Sequence, residues 1–88
     1  SHCRSPNECV TVSGRVYVGS TPWCAVVLIN GQHRFSCSGD GSYSLVVPRD
    51  ATGHVTPQVF ALGYRPFREV FSPRDATLHL DVELERCR

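Results

Sequence analysis

Apolar and polar residues alternate one for one along most of this chain, and a period of two commits it to β-strands. Val10, Val12, Val16 and Val18 share one face of the opening run, with Thr11, Ser13, Arg15 and Tyr17 on the other. Near the end Leu78, Leu80, Val82 and Leu84 alternate with His79, Asp81, Glu83 and Glu85. Further β-rich runs occupy residues 24–29, 32–37, 42–48, 54–62 and 64–71. Between them lie Asn30-Gly31, residues 38–41, Pro48-Arg49-Asp50 and Gly63, all residue types that turn a backbone. No window sustains a 3.6-residue period, so no long helix is expected. Pro57 has no N–H to give a ladder, which predicts an edge or bulged strand there. The pattern therefore predicts an all-β, seven-stranded antiparallel β-sandwich over residues 9–88, with a flexible tether at 1–8.

Composition narrows the function classes. The length of 88 residues allows one domain. Nine Arg face eight acidic residues, with no Lys, for a formal net charge of +1. So even a balance argues against nucleic-acid binding through phosphates. The longest apolar run, Cys24 to Ile29, falls far short of the roughly 20 residues that span a bilayer. No basic segment followed by an apolar one opens the chain, so a mature form or an excised domain is expected. A chain of this size buries only about 60–65% of its unfolded surface, and covalent staples then matter. Five Cys point to an oxidising compartment.

The cysteine spacing carries most of the structural information. If Asn30-Gly31 forms the type I′ turn its residues favour, Cys24 stands opposite Cys37 in a non-hydrogen-bonded pair. Such pairs bring Cα atoms to about 4.5 Å, within disulfide range. Val26 and Phe35 share that face, which is expected to meet the core. Pairing the first and last runs antiparallel sets Val12 against Leu84, Val16 against Leu80 and Val18 against Leu78. Cys9 then meets Cys87, a closure worth about 4–5 kcal/mol on chain-entropy grounds. A Cys3–Cys9 bridge with Cys87 free is the rival. The first pairing leaves Cys3 over, as a candidate lipidated residue of a bacterial lipoprotein whose residues 4–8 form a short tether. Arg4 after that Cys favours the outer membrane. The plainer alternative is a domain of a larger protein, with Cys3 unpaired or bonded elsewhere.

Val12-Ser13-Gly14-Arg15-Val16, Ala25-Val26-Val27-Leu28-Ile29-Asn30-Gly31 and Ala61-Leu62-Gly63-Tyr64 follow one another in a distinctive order. Between them runs Ser38-Gly39-Asp40-Gly41-Ser42-Tyr43-Ser44-Leu45-Val46-Val47-Pro48. Together these resemble the strand and turn signatures of carboxypeptidase regulatory-like domains. The resemblance covers residues 10–85 and implies a transthyretin-like (prealbumin-like) sandwich. It also implies a non-catalytic accessory role, as such modules serve beside peptidases, in outer-membrane receptors and in surface proteins.

The chemistry-bearing residues suggest no reaction. Asp40, between Gly39 and Gly41, is expected in a tight hairpin turn, because calcium wants several convergent oxygens and one carboxylate is present. His2, His33, His54 and His79 show no metal-ligand spacing. No G-x-S-x-G elbow exists, so neither catalysis, a metal nor a cofactor is expected. The row Asp81, Glu83, Glu85 reads as a solvated strand face. Trp23, Tyr64, Arg65, Phe67 and Arg68 are the candidate partner-binding residues, since aromatics and Arg are enriched at interface hot spots. Against that, Trp23, Phe67 and Phe71 can serve as core, with Tyr64 packed beneath its turn.

The resulting expectation is an exported module, periplasmic, outer-membrane-anchored or extracellular, that supports a larger envelope or secretion assembly through a protein partner. The alternative is an accessory domain of an exported peptidase or glycan-active enzyme. A carbohydrate-binding sandwich is a third option and needs coplanar exposed aromatics.

Overall fold

A computed structural model describes residues 3 and 7–87, so residues 1–2 and 4–6 of the expected tether, with His2, lie outside the described residues. The described residues form two sheets of short strands and no helix. The strands are β1 (Cys9–Val18), β2 (Thr21–Pro22), β3 (Val26–Ile29), β4 (Gln32–Phe35), β5 (Ser42–Pro48), β6 (Pro57–Phe60), β7 (Phe67–Arg68), β8 (Thr77–His79) and β9 (Val82–Glu83). One sheet centres on β1, which pairs with β5, β2, β8 and β9. The other runs β4-β3-β6-β7.

The alternation of β1 decides which side chains meet the core. Val10, Val12 and Val16 are fully buried, and the antiparallel partner β5 adds Tyr43, Leu45 and Val47 to the same side. The second sheet supplies Ala25, Val27, Ile29 and Val59. Between the sheets these residues form one cluster, completed by Val55, Val82 and Leu84.

The final run departs from expectation in direction. β8 and β9 lie parallel to β1, with Val12 against Leu78 and Val16 against Val82, so the first sheet is mixed rather than antiparallel. Alternation fixes which face a strand buries and says nothing about its direction. The run is also broken into two strands at Leu80 and Asp81. There the Leu80 carbonyl closes on Gly14 so tightly that a Cβ on Gly14 would lie 1.7 Å from its oxygen. The Tyr43 hydroxyl donates to that carbonyl at 2.6 Å, and Leu80 N donates to Ser13 O at 2.8 Å. One residue on, an Asp81 carboxylate oxygen takes the place of a backbone acceptor for Arg15 N at 2.9 Å. With this break and the short β2, nine strands stand where seven were expected.

Strand direction also settles the cysteines. Running parallel to β1, the end of the chain carries Cys87 past Val18, away from Cys9. Cys9 is instead bonded to Cys3, with Cα atoms 5.7 Å apart, and Cys87 is free and exposed. The expected Cys9–Cys87 bridge is thereby replaced by its rival. A sulfur held in a disulfide has no valence for a thioether-linked lipid, so Cys3 bonded to Cys9 does not take the lipid anchor expected of it.

The central hairpin follows its sequence closely. Asn30 (φ 48°) and Gly31 (φ 87°) both take the left-handed region that a type I′ turn requires. The ladder then pairs Ile29 with Gln32 and Val26 with Phe35. Further out, the Cys24–Cys37 disulfide forms with Cα atoms 4.4 Å apart. Its side is the reverse of that expected. Val27 and Ile29 face the core, while Phe35 is 58% exposed and both cysteines are exposed. Replacing Cys24 and Cys37 together with Ser is expected to cost about 2–3 kcal/mol, which thermal unfolding of the oxidised protein and the variant measures directly.

Two loop expectations also change. β6 lies between β3 and β7 rather than at an edge, because Pro57 is its first residue and only one terminal bond is forgone. Asp40 sits on a crossover from β4 in one sheet to β5 in the other, not in a hairpin.

Candidate interaction surface

Ladder registers place the outward side chains of the second sheet in rows. Phe35, Val26 and Phe60 are directly opposed across β4, β3 and β6, and His33, Leu28 and Gln58 form the next row, continued by Arg68 on β7. Beyond the first row lie the Cys24–Cys37 disulfide and Leu62, which is wholly exposed at 102%. Phe35, Phe60 and Leu62 border one open cleft of about 480 Å³, lined also by Cys24, Ala25, Val26, Ala61, Tyr64 and Pro66. A small soluble domain rarely leaves so many large apolar side chains together in water, and such patches mark contact sites.

The residues singled out from sequence are divided by this geometry. Trp23, Tyr64 and Phe67 are half-buried and pack against the core cluster. Trp23 and Tyr64 stack edge to face with centroids 5.4 Å apart, and Tyr64 alone of the five also lines the cleft. Arg65 is exposed, 3.8 Å from Glu85, and its backbone N donates to Glu85 O at 2.8 Å. Arg68 stands outward at the end of the polar row. The surface therefore centres on Phe35, Val26, Phe60 and Leu62. The Val26–Phe35 pairing was legible from the turn, and only its assignment to the inner face concealed the patch.

The first sheet carries the acids. Asp81, Glu83 and Glu85 are exposed, with Asp81 3.2 Å from the His79 ring. Burial, and the neighbouring Asp81 charge, push the Tyr43 hydroxyl well above the usual phenol range. Asp40 is held at about 2 by the Ser42 hydroxyl and N–H and the Ser38 hydroxyl, with Arg15 at 3.9 Å. Because the folded carboxyl titrates below its unfolded value, its stabilisation is present above about pH 4 and is lost as pH falls toward 2. An Asp40→Asn variant is expected to lose less stability than the parent between those pH values, as chemical denaturation at pH 5, 3 and 2 would show.

Asp50 is likewise lowered, chiefly by the Thr52 hydroxyl and the His54 N–H. Thr52 Oγ1 lies 2.7 Å from the Asp50 carboxylate and 2.6 Å from His54 Nδ1. The Thr52 and His54 backbone N–H groups also donate to that carboxylate oxygen, so the three side chains serve to close the turn at 50–54. Among the described residues, no three His, Cys, Asp or Glu side chains are grouped to hold a metal ion.

No protein-family model matches this chain, and no curated protein matches it either.

Proposed function

We propose that this chain is a non-catalytic interaction module of the bacterial cell envelope, and that the outer face of the β4-β3-β6-β7 sheet is where its protein partner docks. The observation that carries this reading is the apolar row Phe35, Val26, Phe60 with the exposed Leu62 beside it. Interface cores are depleted of charge and enriched in aromatics, which matches this row and its neighbours. The two disulfides suit an oxidising, exported location. The resemblance to carboxypeptidase regulatory-like domains, with their transthyretin-like sandwich, favours an accessory role over a catalytic one.

A photo-crosslinking amino acid placed at position 62, with position 44 on the other sheet as control, tests this in the native host. One discrete cross-linked species from position 62 and none from position 44 is the expected result. No product at 62, or the same products from both positions, overturns the reading.

A further inference from the structure

The apolar cleft on the second sheet has a border of different chemistry. Pro66, Phe60, Val26 and Phe35 line the cleft, one from each strand or its approach. Two residues along each strand, on the same face, stand Arg68, Gln58, Leu28 and His33. The apolar row is thus followed, at about 6.6 Å, by a row that holds a guanidinium, an amide and an imidazole. That second row contains no carboxylate.

Arg68 also lacks the kind of partner that other cations of the molecule have. Arg15 on β1 lies 3.9 Å from Asp40, and His79 on β8 lies 3.2 Å from Asp81. Arg65 lies 3.8 Å from Glu85, and Arg49 donates to the Pro73 and Asp75 carbonyls. Among the described residues, no carboxylate pairs with Arg68 and no hydrogen bond engages the Gln58 side chain. The cleft and this row are together complementary to a ligand that is apolar at one point and anionic one short step away.

We propose that the cleft and Arg68 together take an extended segment of the partner protein, with Phe or Leu followed two positions later by Asp or Glu. The proposal rests on the reading of this face as the docking side, and it names the partner's chemistry. In an extended chain, residues i and i+2 point the same way about 6.6 Å apart. The apolar side chain therefore enters the cleft while the carboxylate reaches the row of Arg68. One guanidinium at a rim decides which sequence is chosen more than how tightly it binds. The same inventory speaks against two other occupants. The second-sheet strands of another copy bring no carboxylate to this face. The acids on a copy's first sheet would make a head-to-tail contact, which builds rings or filaments rather than a pair. An anionic membrane is held by clusters of about 4–8 basic residues, whereas Arg68 is the one fixed cation in these outward rows.

The test is an NMR titration of the full chain, into the millimolar range, with blocked pentapeptides Gly-Phe-Ser-Glu-Gly, Gly-Phe-Ser-Lys-Gly and Gly-Ala-Ser-Glu-Gly. The Phe/Glu peptide is expected to shift the amides of Val26, Phe60, Leu62 and Arg68 and to leave Ser44 and Val46 of β5 unmoved. It is expected to bind about fivefold more tightly than the Phe/Lys peptide, and Arg68→Glu to reverse that order. The Ala/Glu peptide is expected to bind about tenfold more weakly than the Phe/Glu peptide. The proposal is overturned if no peptide shifts the cleft amides, if Ala serves as well as Phe, or if Arg68→Glu leaves the order unchanged. Sedimentation of the chain with phosphatidylcholine–phosphatidylglycerol vesicles, abolished by Leu62→Ser, overturns it in favour of a membrane. A cross-linked species from position 62 with twice the mass of the chain overturns it in favour of a second copy. A cross-link to another protein without any peptide response overturns the segment's chemistry while leaving the docking face standing. A peptide response without a cross-link from position 62 supports the chemistry of the cleft and removes the docking reading.

Discussion

Gly14→Ala is expected to cost about 3–5 kcal/mol, more than most single substitutions in a domain of this size. The added Cβ would lie 1.7 Å from the Leu80 oxygen and 2.5 Å from its carbonyl carbon, so backbone must move. Nothing flexible can give way at that point. Moving Leu80 outward strains three bonds at once: from Tyr43, to Ser13, and the Arg15–Asp81 contact beside them. An unmade buried bond costs about 1–3 kcal/mol, so the clash and the lost bonds compound. Chemical denaturation measures the loss. Tyr43→Phe, which removes a single hydroxyl from the same locus, is expected to cost about 1 kcal/mol. A Gly14→Ala variant as stable as the parent would mean that β8 and β9 do not sit against β1 as described.

Asn30→Ala is the second large effect, expected at about 4 kcal/mol. The Asn30 amide donates to Pro48 O at 2.8 Å and His54 O at 3.0 Å, and its carbonyl accepts from Thr56 N at 3.0 Å. One side chain thus ties the β3–β4 turn to the end of β5 and to the loop before β6. At about 1 kcal/mol each, three bonds supply most of the loss. The φ of 48° adds about 1 kcal/mol for Ala, which has no local hydrogen bond to compensate the left-handed region. Asn30→Gly separates the two contributions, because glycine accepts that backbone freely but restores no bond. It is expected to recover about 1 kcal/mol of the loss, as parallel thermal melts of the two variants would show.

The same residue explains why the central hairpin was so legible. Asn-Gly dictates a two-residue turn with both φ values positive, and that turn fixes every pair outward to Cys24 and Cys37. The run from residue 24 to 29 leaves the choice of face open, because Cys24, Val26 and Leu28 are as apolar as Ala25, Val27 and Ile29. Which set is buried depends on what the other sheet brings, and Val10, Val12 and Val47 meet the second set. The direction of the last run was hidden for a different reason. Leu78, Leu80, Val82 and Leu84 alternate identically whether they run with β1 or against it, and two of the three strongest expectations about the cysteines hung on that choice. The site was legible only in its neighbourhood. Tyr64 borders the cleft, whereas Trp23 and Phe67 went to the core, as large aromatics beside a small domain's interior commonly do.

The proposed docking face differs from the core in one measurable respect: its apolar residues should be dispensable for folding. The most direct measurement is the melting temperature of a Phe35→Ser, Phe60→Ser double variant, taken together with cross-linking in the native host of the same double variant bearing the photo-crosslinking residue at position 62. The account predicts a melting temperature within a few degrees of the parent and loss of the cross-linked species. A fall of more than about 10 °C, which in a domain of this length corresponds to about 2 kcal/mol, would place these side chains among the residues that hold the fold. A cross-link that survives both substitutions would place the partner elsewhere.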